Sequence, residues 1–235
     1  RREAGRFLAE GPQAVREALA VDAVIEMFAT ADAIERYPEL TARADEIGAA
    51  DAASLSETVT PQGVVAVCAV PRHTVDDVLA GAPRLLVALV APNDPGNLGT
   101  VIRTADAAGA DAVVVDAGVD PFNGKAVRAS AGSIFHLPVV DGPALELMQR
   151  AHRAGLITLA TTGHGGRDLD ELADGATLAR ASLWLFGSEA HGLPATVIDT
   201  ADFSVRVPIH GRAESLNIAA AAAVCLYASA RAQRR

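Results

Sequence analysis

Four short apolar runs constrain this chain more than any other feature: Leu85–Ala91, Ala112–Val115, Ile157–Thr161 and Ser182–Phe186. A strand with one wet face alternates polar and apolar residues, whereas a strand covered on both faces does not. These runs do not alternate, and helical stretches separate them. The expected class is therefore α/β, a mostly parallel sheet with helices on both faces and a ligand site just past the carboxyl ends of its strands. The segment from Phe7 to Val70 repeats the alternation on a smaller scale, with runs at Val24–Phe28 and Val64–Val70 and a helical stretch at Pro12–Ala20. It reads as a small α/β domain over residues 1–72. Prolines, a glycine and charges mark a boundary between Pro71 and Pro83, so residues 73–83 read as a linker with a short helix at Thr74–Leu79, and residues 84–235 as the larger domain. From Ser215 to about Ala230 the sequence predicts an alanine-rich helix, apolar nearly all round and so buried against the sheet or a second subunit.

Composition narrows the function. With 235 residues and 50% hydrophobic content the chain can bury a sizeable core, which excludes disorder as its main state. No apolar run approaches the roughly 18 residues of a membrane span, and Arg1 to Leu8 lack the apolar centre of a secretion signal. The expectation is a soluble, cytoplasmic protein with no membrane partner. A net charge of −9 argues against gripping nucleic acid over the whole surface, so any RNA contact is local and DNA is not an expected partner. Lys125 is the sole lysine, and the other cations are almost all arginine. That bias suits bidentate phosphate contact, and genomic base composition explains it equally well. Cys68 and Cys225 lie in separate apolar runs and read as buried thiols, with no metal site expected.

Chemistry concentrates in three segments. Ala91-Pro-Asn-Asp-Pro-Gly-Asn-Leu-Gly-Thr-Val-Ile-Arg103 is a turn-rich loop running into a helix. Its glycines let backbone approach a ligand, and a helix N-terminus favours anions. A helix starting near Asn97 puts Arg103 between one and two turns in, aimed at whatever fills the loop; the plainer alternative is a strand-to-helix turn with a surface arginine. After the run ending at Phe186 comes Gly187-Ser-Glu-Ala-His-Gly192, where two glycines permit a tight turn that presents Glu189 as a hydrogen-bond acceptor or base, or leave it a solvated carboxylate. The third segment is Val207-Pro-Ile-His-Gly-Arg-Ala-Glu-Ser-Leu-Asn217. Ser215 serves as the helix N-cap on a local reading, and Asn217 then falls inside the first turn, where a buried amide needs a partner.

In this order the three segments resemble the signature motifs of the SpoU methyltransferases of the SPOUT superfamily, over the chain from about Arg84 to its end. Asn123-Gly-Lys-Ala-Val-Arg-Ala-Ser-Ala-Gly-Ser-Ile-Phe135 is similar to that family's stretch between the first and second motifs, with Arg128, Ser130 and Gly132 in the usual pattern. Phe7–Gly11 and Leu55–Gly63 are similar to the opening and closing stretches of a ribosomal-protein-like RNA-binding domain that many members carry. The chain begins at Arg1 without a methionine, and a basic stretch ahead of it that helps to hold RNA is expected on that resemblance.

The resemblance implies a deep trefoil knot in the larger domain, an exception to unknotted topology. It implies S-adenosylmethionine bound by Thr161, Gly163, Gly187, Val207, Ile209 and Leu216, and methyl transfer to a ribose 2'-hydroxyl of RNA, ribosomal RNA before transfer RNA. The catalytic set becomes Arg103, Glu189, Ser215, Asn217 and Asn97, with Lys125 and Arg128 on the RNA and a homodimer whose active site lies at the subunit interface. Such enzymes are often assigned an arginine base at the position of Arg103, yet a guanidinium stays protonated in proteins. Arg103 reads better as a clamp on the neighbouring phosphate that lowers the hydroxyl pKa, with Glu189 or a water taking the proton and Ser215, Asn217 and Asn97 holding Arg103 and the cofactor in place. His191 and His210 read as loop residues without a role. Two alternatives compete. Val113-Val-Val-Asp-Ala-Gly118 hints at a Rossmann-type methyltransferase, without its glycine-rich loop. A non-catalytic RNA-binding relative would not need Arg103, Glu189, Ser215 and Asn217 together.

Overall fold

A computed structural model describes residues 5–56, 58 and 60–234; what the sequence suggests for residues 1–4, Glu57, Val59 and 235 lies outside the described residues. The first unit runs β1 (Arg6–Glu10), α1 (Pro12–Ala20), β2 (Val24–Ala29), α2 (Ala31–Arg36), β3 (Asp45–Glu46), α3 (Ala49–Leu55) and β4 (Val64–Ala69). Its strands order β1-β4-β2-β3, with β4 antiparallel to both β1 and β2. Phe7 and Ala9 alternate inward from β1, and α1 buries Ala14, Val15 and Ala18 from one side of the helix.

The second unit runs α4 (Val75–Ala80), β5 (Leu85–Val90), α5 (Pro95–Ala108), β6 (Ala112–Asp116), α6 (Gly124–Ala129), β7 (Val139–Asp141), α7 (Ala144–Arg153), β8 (Ile157–Thr161), β9 (Arg167–Asp168), α8 (Leu169–Asp174), β10 (Ser182–Phe186), α9 (Ala195–Thr200), β11 (Phe203–Arg206) and α10 (Ile218–Gln233). The sheet order is β7-β6-β5-β10-β8-β11-β9, and every pairing is parallel. All residues of β5 and β10 are buried, because helices cover both faces at the centre of the sheet. That double cover is why these strands read as unbroken apolar runs. α4 falls in residues 73–83 and packs Val75 and Val78 into the same core as Leu86, Val114 and Met148. Thr74 and Asp77 start it with reciprocal side-chain-to-backbone bonds.

α10 differs from expectation at its start. It begins at Ile218, because Asn217 and not Ser215 supplies the cap. One side, with Ala222, Cys225, Leu226 and Ser229, is buried, and Ser229 accepts a hydrogen bond from the buried Trp184 indole at 2.9 Å. On the other side Val224 and Tyr227 are 44% and 53% exposed. Cys68 and Cys225 are buried free thiols, each pushed up to about 12 by desolvation.

The two units share one hydrophobic core. The Phe7 ring lies 4.9 Å from Phe122 and 5.7 Å from Phe135. Beside them Arg128 Nη1 pairs with Glu10 Oε2 at 3.0 Å, joining α6 to β1. Among the described residues, no helix is long and apolar enough to cross a membrane.

Candidate active site

The first segment is organised by its helix cap. Asp94 accepts from the Gly96 amide and, at 3.2 Å, from the Asn97 amide, while Pro95 opens α5. The helix thus begins before Asn97, because Asp94 satisfies amides that would otherwise be orphaned. Lys125 Nζ sits 3.1 Å from both Asp94 oxygens. That hydrogen bond, with the two backbone amides, holds the Asp94 carboxyl below its usual range. Gly99 serves packing: a Cβ there would lie 2.2 Å from the Ala126 carbonyl oxygen, so only glycine lets α5 and α6 approach this closely. Arg103 is exposed on α5, with no hydrogen bond or ion pair to another described residue.

After β10 the chain turns back on itself through Gly187–Gly192, closed by a Gly192 amide to Ser188 carbonyl bond of 2.8 Å. This turn carries Glu189 to the first segment. Its Oε1 accepts from Asn97 Nδ2 at 2.8 Å, and its Oε2 from the Asn93 amide at 3.3 Å. Partial desolvation pushes the carboxyl up, but bonds from Asn97, from its own backbone and from Asn93 outweigh that and hold it below the usual carboxylate range. Glu189 is therefore a fixed anion with both oxygens engaged, which weakens it as a base.

The third segment completes the chain of contacts. Asn217 Oδ1 caps α10 by accepting from the Ala219 amide at 2.8 Å, and its Nδ2 donates to Asn97 Oδ1 at 3.0 Å. The cap fixes which end of the Asn217 amide faces Asn97, Asn97 must then turn its own Nδ2 to Glu189, and a carboxylate is the acceptor that end requires. Three residues drawn from three separate segments, the first turn of α5, the turn after β10 and the cap of α10, form one polar relay of fixed direction. Ser215 stands apart from it, exposed on the wall of the adjoining cleft.

That cleft, about 510 Å³, opens at the carboxyl ends of β8, β10 and β11. Thr161, Gly163, Gly187, Val207, Ile209 and Leu216 all lie on its wall, as do Glu189, Ser215 and Asn217. Asn97 and Arg103 do not, Asn97 joining it only through its bonds to Glu189 and Asn217. Ile209 and Leu216 are 37% and 40% exposed, an apolar surface suited to a planar ring. Among the described residues, backbone groups from Pro208 to Leu216 make no hydrogen bond to other backbone and are available to a ligand. The Thr161 hydroxyl donates to the Leu185 carbonyl at 2.9 Å, so towards a ligand it can only accept. The sequence reading missed Thr162 and His164 on the wall, and the glycine-rich turn after β8 was the available signal. His191 lines the cleft too. Asp116, which prompted the Rossmann alternative, bonds the Ala144 amide at 2.9 Å and starts α7.

The volume lies within the roughly 300–1,000 Å³ of small-molecule sites, and apolar walls beside unpaired backbone fit a nucleoside carrying a charged tail. A parallel α/β sheet with such a cleft beyond its strand ends defines a class of nucleotide-type ligand-binding proteins. Within that class the chain belongs to the SpoU rRNA Methylase family, matched over residues 84–227, while residues 1–66 match the MRM3-like substrate binding domain. It is 37% identical over 230 residues to the 23S rRNA (guanosine(2553)-2'-O)-methyltransferase RlmP of Bacillus subtilis, covering 97% of this chain and 89% of that protein. It is 35% identical over 178 residues to the 23S rRNA (guanosine-2'-O-)-methyltransferase RlmB of Bordetella pertussis, covering 72% of this chain and 70% of that protein. The SpoU methyltransferase AviRb from Streptomyces viridochromogenes, crystallised with AdoMet, superposes with a TM-score of 0.85 at 32% identity, covering 100% of this chain and 92% of that one.

Proposed function

We propose that this protein transfers a methyl group from S-adenosylmethionine to a ribose 2'-hydroxyl of RNA, with ribosomal RNA as substrate in preference to transfer RNA. The observation that carries this reading is the convergence of Asn97, Glu189 and Asn217 in one relay at the rim of the cleft, in a chain of this family. When bound, the cofactor supplies a methyl group activated by sulfonium. Backbone at Thr161, Gly163, Gly187 and Val207, with the apolar faces of Ile209 and Leu216, would hold it.

The remaining work falls to side chains. Arg103, unpaired among the described residues and permanently charged, clamps the phosphate next to the reacting ribose and lowers the hydroxyl pKa. Glu189 acts as the anchor of the relay, and the proton leaves to water. Ser215 presents its hydroxyl to the cleft. Lys125 and Arg128 meet RNA only in competition with Asp94 and Glu10, their partners in the free protein. Residues 1–72 form the RNA-binding unit, and the segment beyond β11 passes through a deep trefoil knot. The exposed Val224 and Tyr227 stripe of α10 belongs to a homodimer interface, and the enzyme works in the cytoplasm.

Asn217→Asp separates the relay from the fold. Aspartate caps a helix as well as asparagine does, so thermal unfolding stays within a few degrees of wild type. The new carboxylate sets an acceptor against Asn97 Oδ1, and because Glu189 at the other end is also an acceptor, the relay is broken rather than reversed. Single-turnover transfer is expected to fall about 100-fold, as misplacement of about 1 Å commonly does.

The reading is tested by incubating the protein with methyl-labelled S-adenosylmethionine and either ribosomal or transfer RNA, then digesting with alkali. Label in alkali-resistant dinucleotides from ribosomal RNA is expected. Tight RNA binding without transfer would favour a non-catalytic relative, and label mainly in transfer RNA would reverse the substrate preference.

A further inference from the structure

His136 closes the Ser133–Phe135 turn at the junction of the two units. Its Nδ1 lies 2.7 Å from Asp106 Oδ2 on α5, and its Nε2 lies 3.2 Å from Glu17 Oε2 on α1. A neutral imidazole has one N–H, so one of these carboxylates would face a lone pair; an imidazolium donates to both. The surroundings prepare Glu17 for this contact. Gln13 Nε2 donates to its Oε1 at 2.8 Å, leaving Oε2 to the ring, and Arg16 is turned to Gln13 Oε1 at 3.1 Å. Gly132, at φ +99°, has no Cβ to strike Glu17 Cγ, which would lie 2.5 Å from it. Among the described residues, the charged groups that meet the ring are thus Glu17 from α1 and Asp106 from α5; Arg103, three residues before Asp106, makes no ion pair with it.

We propose that His136, as an imidazolium, is a positioning residue that helps to staple the N-terminal unit to the larger sheet and loosens this one contact on losing its proton. The functional half of this inference rests on the reading that the N-terminal unit binds RNA. The hydrogen bond to Asp106 raises the ring above its usual range, partial burial opposes it, and Glu17 adds to the rise. A raised folded-state pKa gives a contribution that is complete below the unfolded value of about 6.5 and is lost as pH rises through the folded value.

The full-length chain tests this by NMR titration of the His136 ring, together with melting temperatures of wild type and His136→Gln at pH 6 and pH 9. The ring is expected to titrate above the ordinary histidine range, and Glu17→Gln and Asp106→Asn each move it lower. Wild type melts above His136→Gln at pH 6, and the gap closes by pH 9. A ring that titrates at or below the ordinary value, or an equal gap at both pH values, overturns the staple. In a parallel arm, affinity for transcribed 23S rRNA falls more steeply from pH 6 to pH 9 in wild type than in His136→Gln, with S-adenosylmethionine affinity equal in both. Parallel RNA curves overturn the positioning role. Absence of RNA binding at pH 6 in both proteins overturns the functional reading, and the ring titration still decides the staple.

Discussion

Arg103→Ala is expected to lower single-turnover methyl transfer by about 100- to 1,000-fold, the usual cost of removing one preorganised charge-stabilising donor. Affinity for S-adenosylmethionine and the melting temperature stay near wild type. This separation follows from where the side chain sits. Arg103 is exposed, contacts no other described residue through a hydrogen bond or ion pair, and lies off the cleft wall. Surface changes of that kind move stability by about 0.5 kcal/mol or less. Arg103→Lys sharpens the test, since lysine keeps the charge and loses the planar fork. A lysine variant with near-normal single-turnover rate and normal RNA affinity contradicts the clamp.

The second large effect is expected at Gly187. A Cβ there would lie 2.0 Å from the Gly192 carbonyl carbon and 2.2 Å from the Leu193 nitrogen. Both are backbone atoms, so no flexible side chain can give way, and Gly187→Ala must open the turn. The turn bears Glu189 and one wall of the cleft, so cofactor affinity and the relay fail together. Overpacking of this kind costs about 1–3 kcal/mol, or roughly 5- to 150-fold in affinity. Calorimetric titration with S-adenosylmethionine measures it, with Gly175→Ala as control, because Gly175 lies off the cleft wall and a Cβ there would meet nothing nearer than 3.7 Å.

The central strands were legible because burial on both faces leaves an unalternated apolar run, and β8 and β10 begin and end where the sequence predicts. β7 and β11 were not. Val139–Asp141 has three residues, and Phe203–Arg206 alternates and ends on an exposed arginine, so neither carries a buried-strand pattern. The start of α10 was misread because Ser215 and Asn217 are both good caps, and only the partner loops select between them. The three motifs named the residues that meet, whereas the direction of the relay depends on Asn97 reaching two loops distant in sequence. Glu189 shows the limit most clearly. A glutamate between glycines suggests a base, and only its contacts with Asn97 and the Asn93 amide make it an anchor.

The most direct measurement of the central claim is a map of 2'-O-methylated positions in ribosomal and transfer RNA from cells with and without the gene. The account predicts at least one ribosomal RNA position that loses its ribose methyl group without the gene, regains it with the wild-type gene and does not regain it with Arg103→Ala. Identical maps in the two strains, or full rescue by Arg103→Ala, would contradict it.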